Sequence, residues 1–190
     1  MDKNDFLKGL NKIGEITMSD VKPKTDRYSE YDFPLKIIWD GNFPKDLRTA
    51  ELAMVYFIIV NGFPYKIGRS SAKGGFNSMI TFYLKAGFDD PGQNRYVINA
   101  LIRSEIKKGN KVELYGVYER PKKEKWNSPF GVVEITQKKD DQEMERVCIN
   151  EFLKRYGKHP IWNFQEKGES VPTHLAESFA KYKQQRIKKL

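Results

Sequence analysis

The chain has 190 residues, of which 39% are hydrophobic and 31% charged, a composition that excludes an intrinsically disordered chain and an integral membrane protein. Its single cysteine, Cys148, excludes an internal disulfide and a four-cysteine zinc site. The N-terminus lacks the apolar core of a secretory signal, so we expect a cytoplasmic protein with no membrane partner. Lys and Arg outnumber Asp and Glu by 34 to 25, and the resulting net charge of +9 favours a polyanionic partner such as nucleic acid.

In the first third of the chain the pattern predicts a short helix, a polar linker and a β-hairpin. The apolar residues between Phe6 and Ile13 are spaced as on one face of a helix, and the polar stretch 19–32 is typical of a linker or arm. The strongest strand signal is the apolar run 54–60, and Asn61-Gly62 directly after it is a hairpin turn signal. The strands predicted here span 35–39, 54–60 and 65–69.

The remaining chain alternates helical and strand patterns. Glycines at 87, 109 and 157 follow three of the amphipathic stretches, where they commonly end helices. The predicted helices span 76–86, 94–108, 142–156 and 174–188, the predicted strands span 111–118 and 130–135, and 120–128 is expected to be an exposed basic loop. This order predicts an α+β domain with a small antiparallel sheet flanked by helices.

The hairpin carries the first candidate catalytic residues. Tyr56 lies on its first strand, and Lys66 follows ten residues later on the second. With a three-residue loop the two residues would lie opposite each other on one face of the sheet. With a two-residue loop, Tyr56 would instead pair with Ile67, and Lys66 would lie on the opposite face. A shared catalytic centre requires the first register.

Short motifs in the chain resemble those of the GIY-YIG nuclease family, including its type II restriction enzymes and the phage endonuclease II group. Val55-Tyr56 resembles the first motif, and Lys66-Ile67-Gly68 the second, with lysine replacing tyrosine as in some of the restriction enzymes. Glu151, followed by Pro160 and Asn163, resembles the late motif. The resemblance covers about residues 54–163, so we expect an N-terminal extension over 1–53, a nuclease domain over 54–163 and a C-terminal helical extension over 164–190.

The resemblance implies a metal-dependent DNA endonuclease, and specifically a type II restriction enzyme. The implied metal ligand is Glu151, which would hold one Mg²⁺ or Mn²⁺, and a water would lose its proton to Tyr56 or Lys66. The alternative interpretation of Glu151 is a surface ion pair with Arg155, one helical turn later. The family's arginine on the helix after the second motif is missing, so Arg69 or Lys73 is expected to supply its charge.

Exposed cations outside the motifs are expected to hold double-stranded DNA. Asn163 is grouped with them, although it is also expected to brace the catalytic region. Because both strands of a palindrome must be cut, we expect a homodimer. Alternatives that stay open are a phage or mobile-element nuclease of loose specificity, a degenerate family member that binds DNA without cutting it, and an unrelated basic nucleic-acid-binding protein. The expected DNA-binding residues are Lys73, Arg95, Arg103, Lys107, Lys111, Lys122, Lys123 and Asn163.

Overall fold

The computed structural model describes residues 6–22, 31–70, 73–88, 90–129, 131–137 and 139–188. They form a five-stranded antiparallel sheet, a separate two-stranded ribbon and flanking helices, which confirms the predicted α+β class. No helix within these ranges is long and apolar enough to cross a membrane. The strands are β1 (Asn11–Met18), β2 (Leu35–Trp39), β3 (Ala53–Val60), β4 (Phe63–Ser70), β5 (Val112–Glu119), β6 (Lys122–Ser128) and β7 (Gly131–Gln137), and the helices are α1 (Lys45–Thr49), α2 (Gly75–Leu84), α3 (Gln93–Lys107), α4 (Asp141–Tyr156) and α5 (Thr173–Ile187).

The main sheet has the strand order β2-β1-β5-β3-β4, so that β4 is an edge strand. All eight residues of β3 are buried, because helices cover both faces of the sheet at this point. One face of β3 packs against α2 and α3 through Tyr56 and Ile58. The other face packs against Ile149 and Phe152 of α4. Strand β3 therefore separates two helical layers, and residues of β4 can reach either layer according to their register.

The N-terminal region differs from the prediction. Residues 11–18, part of which was expected to be helical, form β1, which pairs with β2 on one side and β5 on the other. Ile13 and Ile16 are buried in the sheet core, and the tertiary contacts of this strand outweigh the helical spacing of its apolar residues. The sheet thus continues across the boundary predicted at residue 53. Residues 23–30 of the predicted linker lie outside the described part of the chain.

The segment expected to be a basic loop is a strand. Residues 122–128 pair with 131–137 to form the ribbon β6–β7, on which almost every described residue is exposed. Trp126 and Val133 lie opposite each other, and Ile135 lies on the same face. The alternation of lysine with Glu124 and Trp126 is compatible with an exposed strand. The high charge of the segment nevertheless led to the prediction of a loop.

Candidate active site

The β3–β4 hairpin turns through two residues. Asn61 and Gly62 have φ angles of 46° and 79°, and Val60 pairs with Phe63 across the turn. Positive φ at both central positions is the conformation that Asn-Gly favours in tight hairpins. Of the two loops considered for this hairpin, the structure has the two-residue one, and not the three-residue loop that a common face for Tyr56 and Lys66 was expected to require.

A β-bulge nevertheless returns Lys66 to the face that carries Tyr56. Tyr65 is the extra residue of the bulge, so beyond it Ile58 pairs with Lys66 and Tyr56 pairs with Gly68. Tyr56 and Ile58 are two residues apart and share a face, so Lys66 shares it as well. The predicted direct pairing of Tyr56 with Lys66 is wrong by two residues, while the predicted common face is confirmed.

Tyr56 lies in the core beneath this face. Its exposed fraction is 2%, and its ring covers Gly68 so closely that an added Cβ would collide with the phenol. The hydroxyl of Tyr56 is 2.9 Å from the hydroxyl of Tyr83, which lies on α2. Burial, assisted by Tyr83, raises the pKa of Tyr56 well above its usual range. Among the described residues, Tyr83 is the hydrogen-bond partner of the Tyr56 hydroxyl.

A narrow pocket of about 100 Å³ opens beside this pair of phenols, and Lys66, Tyr83 and Glu166 line it. It is large enough for ordered water. The sequence prediction missed Tyr83 and Glu166, because Tyr83 was assigned only to a helix and Glu166 follows the last recognised motif. Tyr83 could have been suspected because it is a phenol near the end of the helix that follows the second motif. Glu166 could have been suspected because it is a carboxylate three residues after Asn163. The remaining lining residues are Asn94, Ile98, Trp162, Phe164 and Gln165.

The segment containing Asn163 holds the edge strand in place. Its side-chain amide donates to the carbonyl of Ile67 and accepts from the N–H of Ile67, both at 2.9 Å. The N–H of Trp162 donates to the carbonyl of Tyr65, at the bulge, over 2.7 Å. Asn163 is 1% exposed, so its grouping with the DNA-binding residues is wrong and its expected bracing role fits the structure.

Glu145 of α4 is a carboxylate whose ionisation is coupled to the charge of Lys66. Burial and the negative charge of Glu166 raise the pKa of Glu145 above its usual value, and the charges of Arg69 and Lys66 oppose that shift. Its side chain is 19% exposed. Carboxylate oxygens are the ligands that hard cations prefer, and Glu166 supplies them in the pocket itself, whereas Glu145 is not among the lining residues.

Glu151, the predicted metal ligand, faces solvent. Its carboxylate is 49% exposed and forms an ion pair of 2.6 Å with Lys154, which lowers the pKa of Glu151. Neither Glu151 nor Glu145 is among the residues that line the pocket, but only Glu145 is coupled electrostatically to Lys66. Glu145 lies six residues earlier, which on a helix of 3.6 residues per turn rotates it well away from Glu151. The structure thus does not bring Glu151 together with Tyr56 and Lys66.

Arg69 lies on the opposite face of β4 from Lys66, as their odd spacing predicts. Its guanidinium forms ion pairs with Asp141 at 2.7 Å and with Glu145 at 3.3 Å, both on α4. Gly68 does not turn it toward the Tyr56 face. Arg69 therefore positions Glu145, whereas Lys73 is exposed in the turn before α2.

The other predicted DNA-binding cations have different surroundings. Arg103 is 2% exposed and donates to Asn99, with its guanidinium 3.9 Å from the ring centre of Tyr31, so its assignment to DNA binding is wrong. Lys111 is exposed but forms a 2.8 Å ion pair with Glu113. The cations that are exposed on helices or on the ribbon are Arg95, Lys107, Lys122 and Lys123.

Comparisons with known proteins give similarity of structure only. No family model and no curated protein matches the chain. A mutant of bacteriophage T4 EndoII is similar over 86% of this chain and 99% of its own, with 18% identity and a TM-score of 0.48. The restriction endonuclease HPY188I in complex with product DNA is similar over 85% of this chain and 84% of its own, with 17% identity and a TM-score of 0.42. At these identities and TM-scores, neither likeness says anything about the activity of this chain.

Proposed function

We propose that this protein is a metal-dependent DNA endonuclease that hydrolyses phosphodiester bonds. The observation that carries the proposal is the pocket lined by Lys66, Tyr83 and Glu166, with Tyr56 in hydrogen-bond contact with Tyr83. Glu145 does not line the pocket, but its ionisation is coupled to the charges of Lys66 and Glu166. A fixed cation, hydroxyl groups and carboxylates are the groups that phosphodiester hydrolysis requires. The net charge of +9 suits a polyanionic substrate.

In this proposal each residue of the site has a defined task. Lys66 faces the pocket and stabilises negative charge on the phosphate. Glu145 and Glu166 supply carboxylate oxygens for a divalent ion, and Arg69 keeps Glu145 in place through their ion pair. This arrangement assigns to Glu145 the role that the sequence prediction gave to Glu151.

The donor set fits Mg²⁺ or Mn²⁺ better than a softer metal. Within the described ranges no group of three His, Cys, Asp or Glu side chains forms a closed metal cage. Mg²⁺ is commonly held by one or two carboxylates, with water and substrate phosphate as its other ligands. When bound at Glu145 and Glu166, such an ion would neutralise charge on the phosphate oxygens and the leaving group.

We further propose a homodimer that acts as a type II restriction enzyme. Symmetric cutting of a duplex requires two catalytic centres, and a two-fold axis matches a palindromic site. Exposed cations that can contact phosphates are Lys73, Arg95, Lys107 and Lys122, whereas Lys123 is held by a 2.7 Å ion pair with Glu134. Lys111 can contribute only in competition with Glu113.

A cleavage assay tests the proposed activity. Supercoiled plasmids and phage genomic DNA are incubated with Mg²⁺ or Mn²⁺, and with Ca²⁺ or EDTA as controls. We expect nicked and linear products with wild type, and none with Lys66→Met or Glu145→Gln. Calorimetric titration with Mn²⁺ gives a second readout, because Glu145→Gln should also weaken metal binding. Equal cleavage by Glu145→Gln and wild type would remove Glu145 from the site.

A second candidate function is DNA binding without cleavage. It is favoured by the absence of arginine from α2 and by the position of Arg69, which faces α4 instead of the pocket. The same assay separates the two functions. A wild-type protein that shifts duplex DNA in a gel yet leaves every substrate intact with both metals would be a non-cleaving binder.

A further inference from the structure

A second pocket lies beside helix α2, on a different face of the helix from Tyr83. It has a volume of about 240 Å³, more than twice that of the pocket in the candidate active site. A space of this size is far larger than one water needs and can admit a flat heterocycle. The residues of this second pocket that matter for its chemistry are Thr81, Phe82, Lys85, Asp90 and Arg95.

The second pocket offers a flat surface on which a ring can stack. Phe76, Ile80 and Leu84 form the buried stripe of α2, and Phe82 lies outside that stripe with 47% of its surface exposed. The guanidinium of Arg95, on α3, lies 4.0 Å from the centre of the Phe82 ring. Aromatic rings and guanidinium planes are the side-chain surfaces on which unpaired nucleic-acid bases stack.

The charges around the second pocket favour an anionic ligand. Within the described part of the chain, neither Lys85 nor Arg95 forms an ion pair with a carboxylate, so both charges are available to a ligand. Asp90, the one carboxylate among the lining residues, is paired with Lys183 and with Arg186 of α5, the latter at 3.0 Å. A phosphate group would therefore meet two unpaired cations and a carboxylate whose charge is already neutralised.

Adjacent residues of the same two helices line both pockets. Tyr83 and Asn94 line the pocket at Lys66, and their neighbours Phe82 and Arg95 line the second pocket. A helix with its side chains is about 10–12 Å wide, a distance that a DNA strand spans in about three nucleotides at about 3.4 Å each. A strand held at the candidate active site can therefore also reach the second pocket.

We propose that the second pocket binds a nucleotide whose base has left the duplex, with the base stacked on the Phe82–Arg95 pair and its phosphate beside Lys85. A base inside a duplex is covered by its neighbours on both faces, so only an unpaired or displaced base can use this surface. The hydroxyl of Thr81 donates to the carbonyl of Asn77 at 2.7 Å, which leaves its oxygen to accept from an N–H of the base. The inference rests on the proposed nuclease function, because it takes the nucleotide from DNA bound at the candidate active site.

Equilibrium binding in Ca²⁺, followed by fluorescence anisotropy, tests the inference without requiring cleavage. The ligands are a fully paired duplex and the same duplex with one unpaired nucleotide at its centre. Because an unpaired base costs less to displace, we expect wild type to bind the second duplex about tenfold more tightly. Phe82→Leu, which keeps an apolar side chain but loses the flat ring, should bind both duplexes equally. Ile38→Ala, which shortens a side chain of similar exposure (53%) on β2, is the matched control and should keep the preference of wild type.

A photochemical cross-link tests the contact itself. With 5-iodouracil at the unpaired position, irradiation should link the DNA to the tryptic peptide 74–85 of wild type, and Phe82→Leu should abolish the link.

Some results would overturn the inference and leave the nuclease function intact. These are equal affinity of a cleaving wild type for the two duplexes, or a preference that Phe82→Leu retains. A free mononucleotide offers the same base and phosphate, so thermal unfolding is also followed with millimolar dAMP. Stabilisation of wild type but not of Phe82→Leu, without any preference for the unpaired duplex, would assign the pocket to a free nucleotide and overturn the inference. A wild type that binds neither duplex would contradict the proposed function as well.

Discussion

The side chain of Asn163 pairs with the backbone of Ile67 as a neighbouring strand would. It satisfies both the N–H and the carbonyl of Ile67 on the free edge of the sheet, each at 2.9 Å. Edge strands commonly need such protection. The same contact places Glu166, three residues later, beside Lys66 at the pocket. One amide thus links the stability of the edge strand to the assembly of the candidate active site.

We predict that Asn163→Ala destabilises the protein by about 2 kcal/mol or more, because it leaves two buried backbone groups of Ile67 without partners. Urea unfolding followed by circular dichroism measures the change. Asn127→Ala, at an exposed position of the ribbon, should change the free energy of unfolding by less than about 0.5 kcal/mol. If the two variants are equally stable, Asn163 is not the brace inferred here.

The strands and helices were largely predictable, but the register of the hairpin was not. The apolar run that became β3, the Asn61-Gly62 turn and the glycine that ends α4 are local signals that tertiary contacts reinforce. The bulge at Tyr65 is held by the N–H of Trp162, almost a hundred residues away, and no local pattern encodes that contact. This bulge determines on which face of the sheet each side chain of β4 lies.

The sequence also did not determine which glutamate of α4 faces the candidate site. Motif spacing favoured Glu151, which precedes Asn163 by twelve residues. The rotation of α4 on the sheet is set by the burial of Ile149 and Phe152, and it turns Glu145 toward Arg69 and Glu151 toward solvent. The pattern of apolar residues predicted the helix but did not decide which of its carboxylates faces the site.

We predict that Glu145→Gln abolishes cleavage, whereas Glu151→Gln retains most of it. Of the two carboxylates, Glu145 is the one that is electrostatically coupled to Lys66 and Glu166. Its replacement by glutamine removes the negative charge from an oxygen that would bind the metal. Single-turnover rates at saturating Mg²⁺ provide the comparison. Should Glu151→Gln be the inactive variant, the motif spacing would have identified the ligand correctly and our assignment from the structure would be withdrawn.

We predict that Glu145→Gln also stabilises the folded protein at pH 8. Because the pKa of Glu145 is raised in the folded state, ionising it disfavours folding, and this penalty develops as pH rises from near 4.5 through the raised pKa. The Tm of Glu145→Gln should therefore exceed that of wild type at pH 8, and this difference should shrink as pH falls toward 4. Glu143→Gln on the same helix should behave oppositely, since Arg146 lowers the pKa of Glu143 and its contribution is favourable at high pH. Thermal unfolding across this pH range checks both signs.

We predict that the proposed homodimer depends on the apolar face of the ribbon. A two-stranded ribbon is marginally stable alone, and Trp126, 54% exposed, shares its face with Val133 and Ile135. Trp126→Ser should shift the protein toward monomer in analytical ultracentrifugation. Lys125→Ser, on the other face, should leave the oligomeric state unchanged. A Trp126→Ser protein that remains dimeric would place the interface elsewhere.

The last prediction separates the two cations considered as substitutes for the missing helix arginine. Arg69 opposes the raised pKa of Glu145, so Arg69→Ala should raise that pKa further and move the acidic limb of the pH–rate profile upward. The rate lost at neutral pH should then return at higher pH. Lys73→Ala should leave the rate at saturating DNA unchanged, weaken binding and reduce the salt dependence by about one phosphate contact. A loss of about a hundredfold in Arg69→Ala that persists at every pH would instead mean that Arg69 acts directly on the transition state.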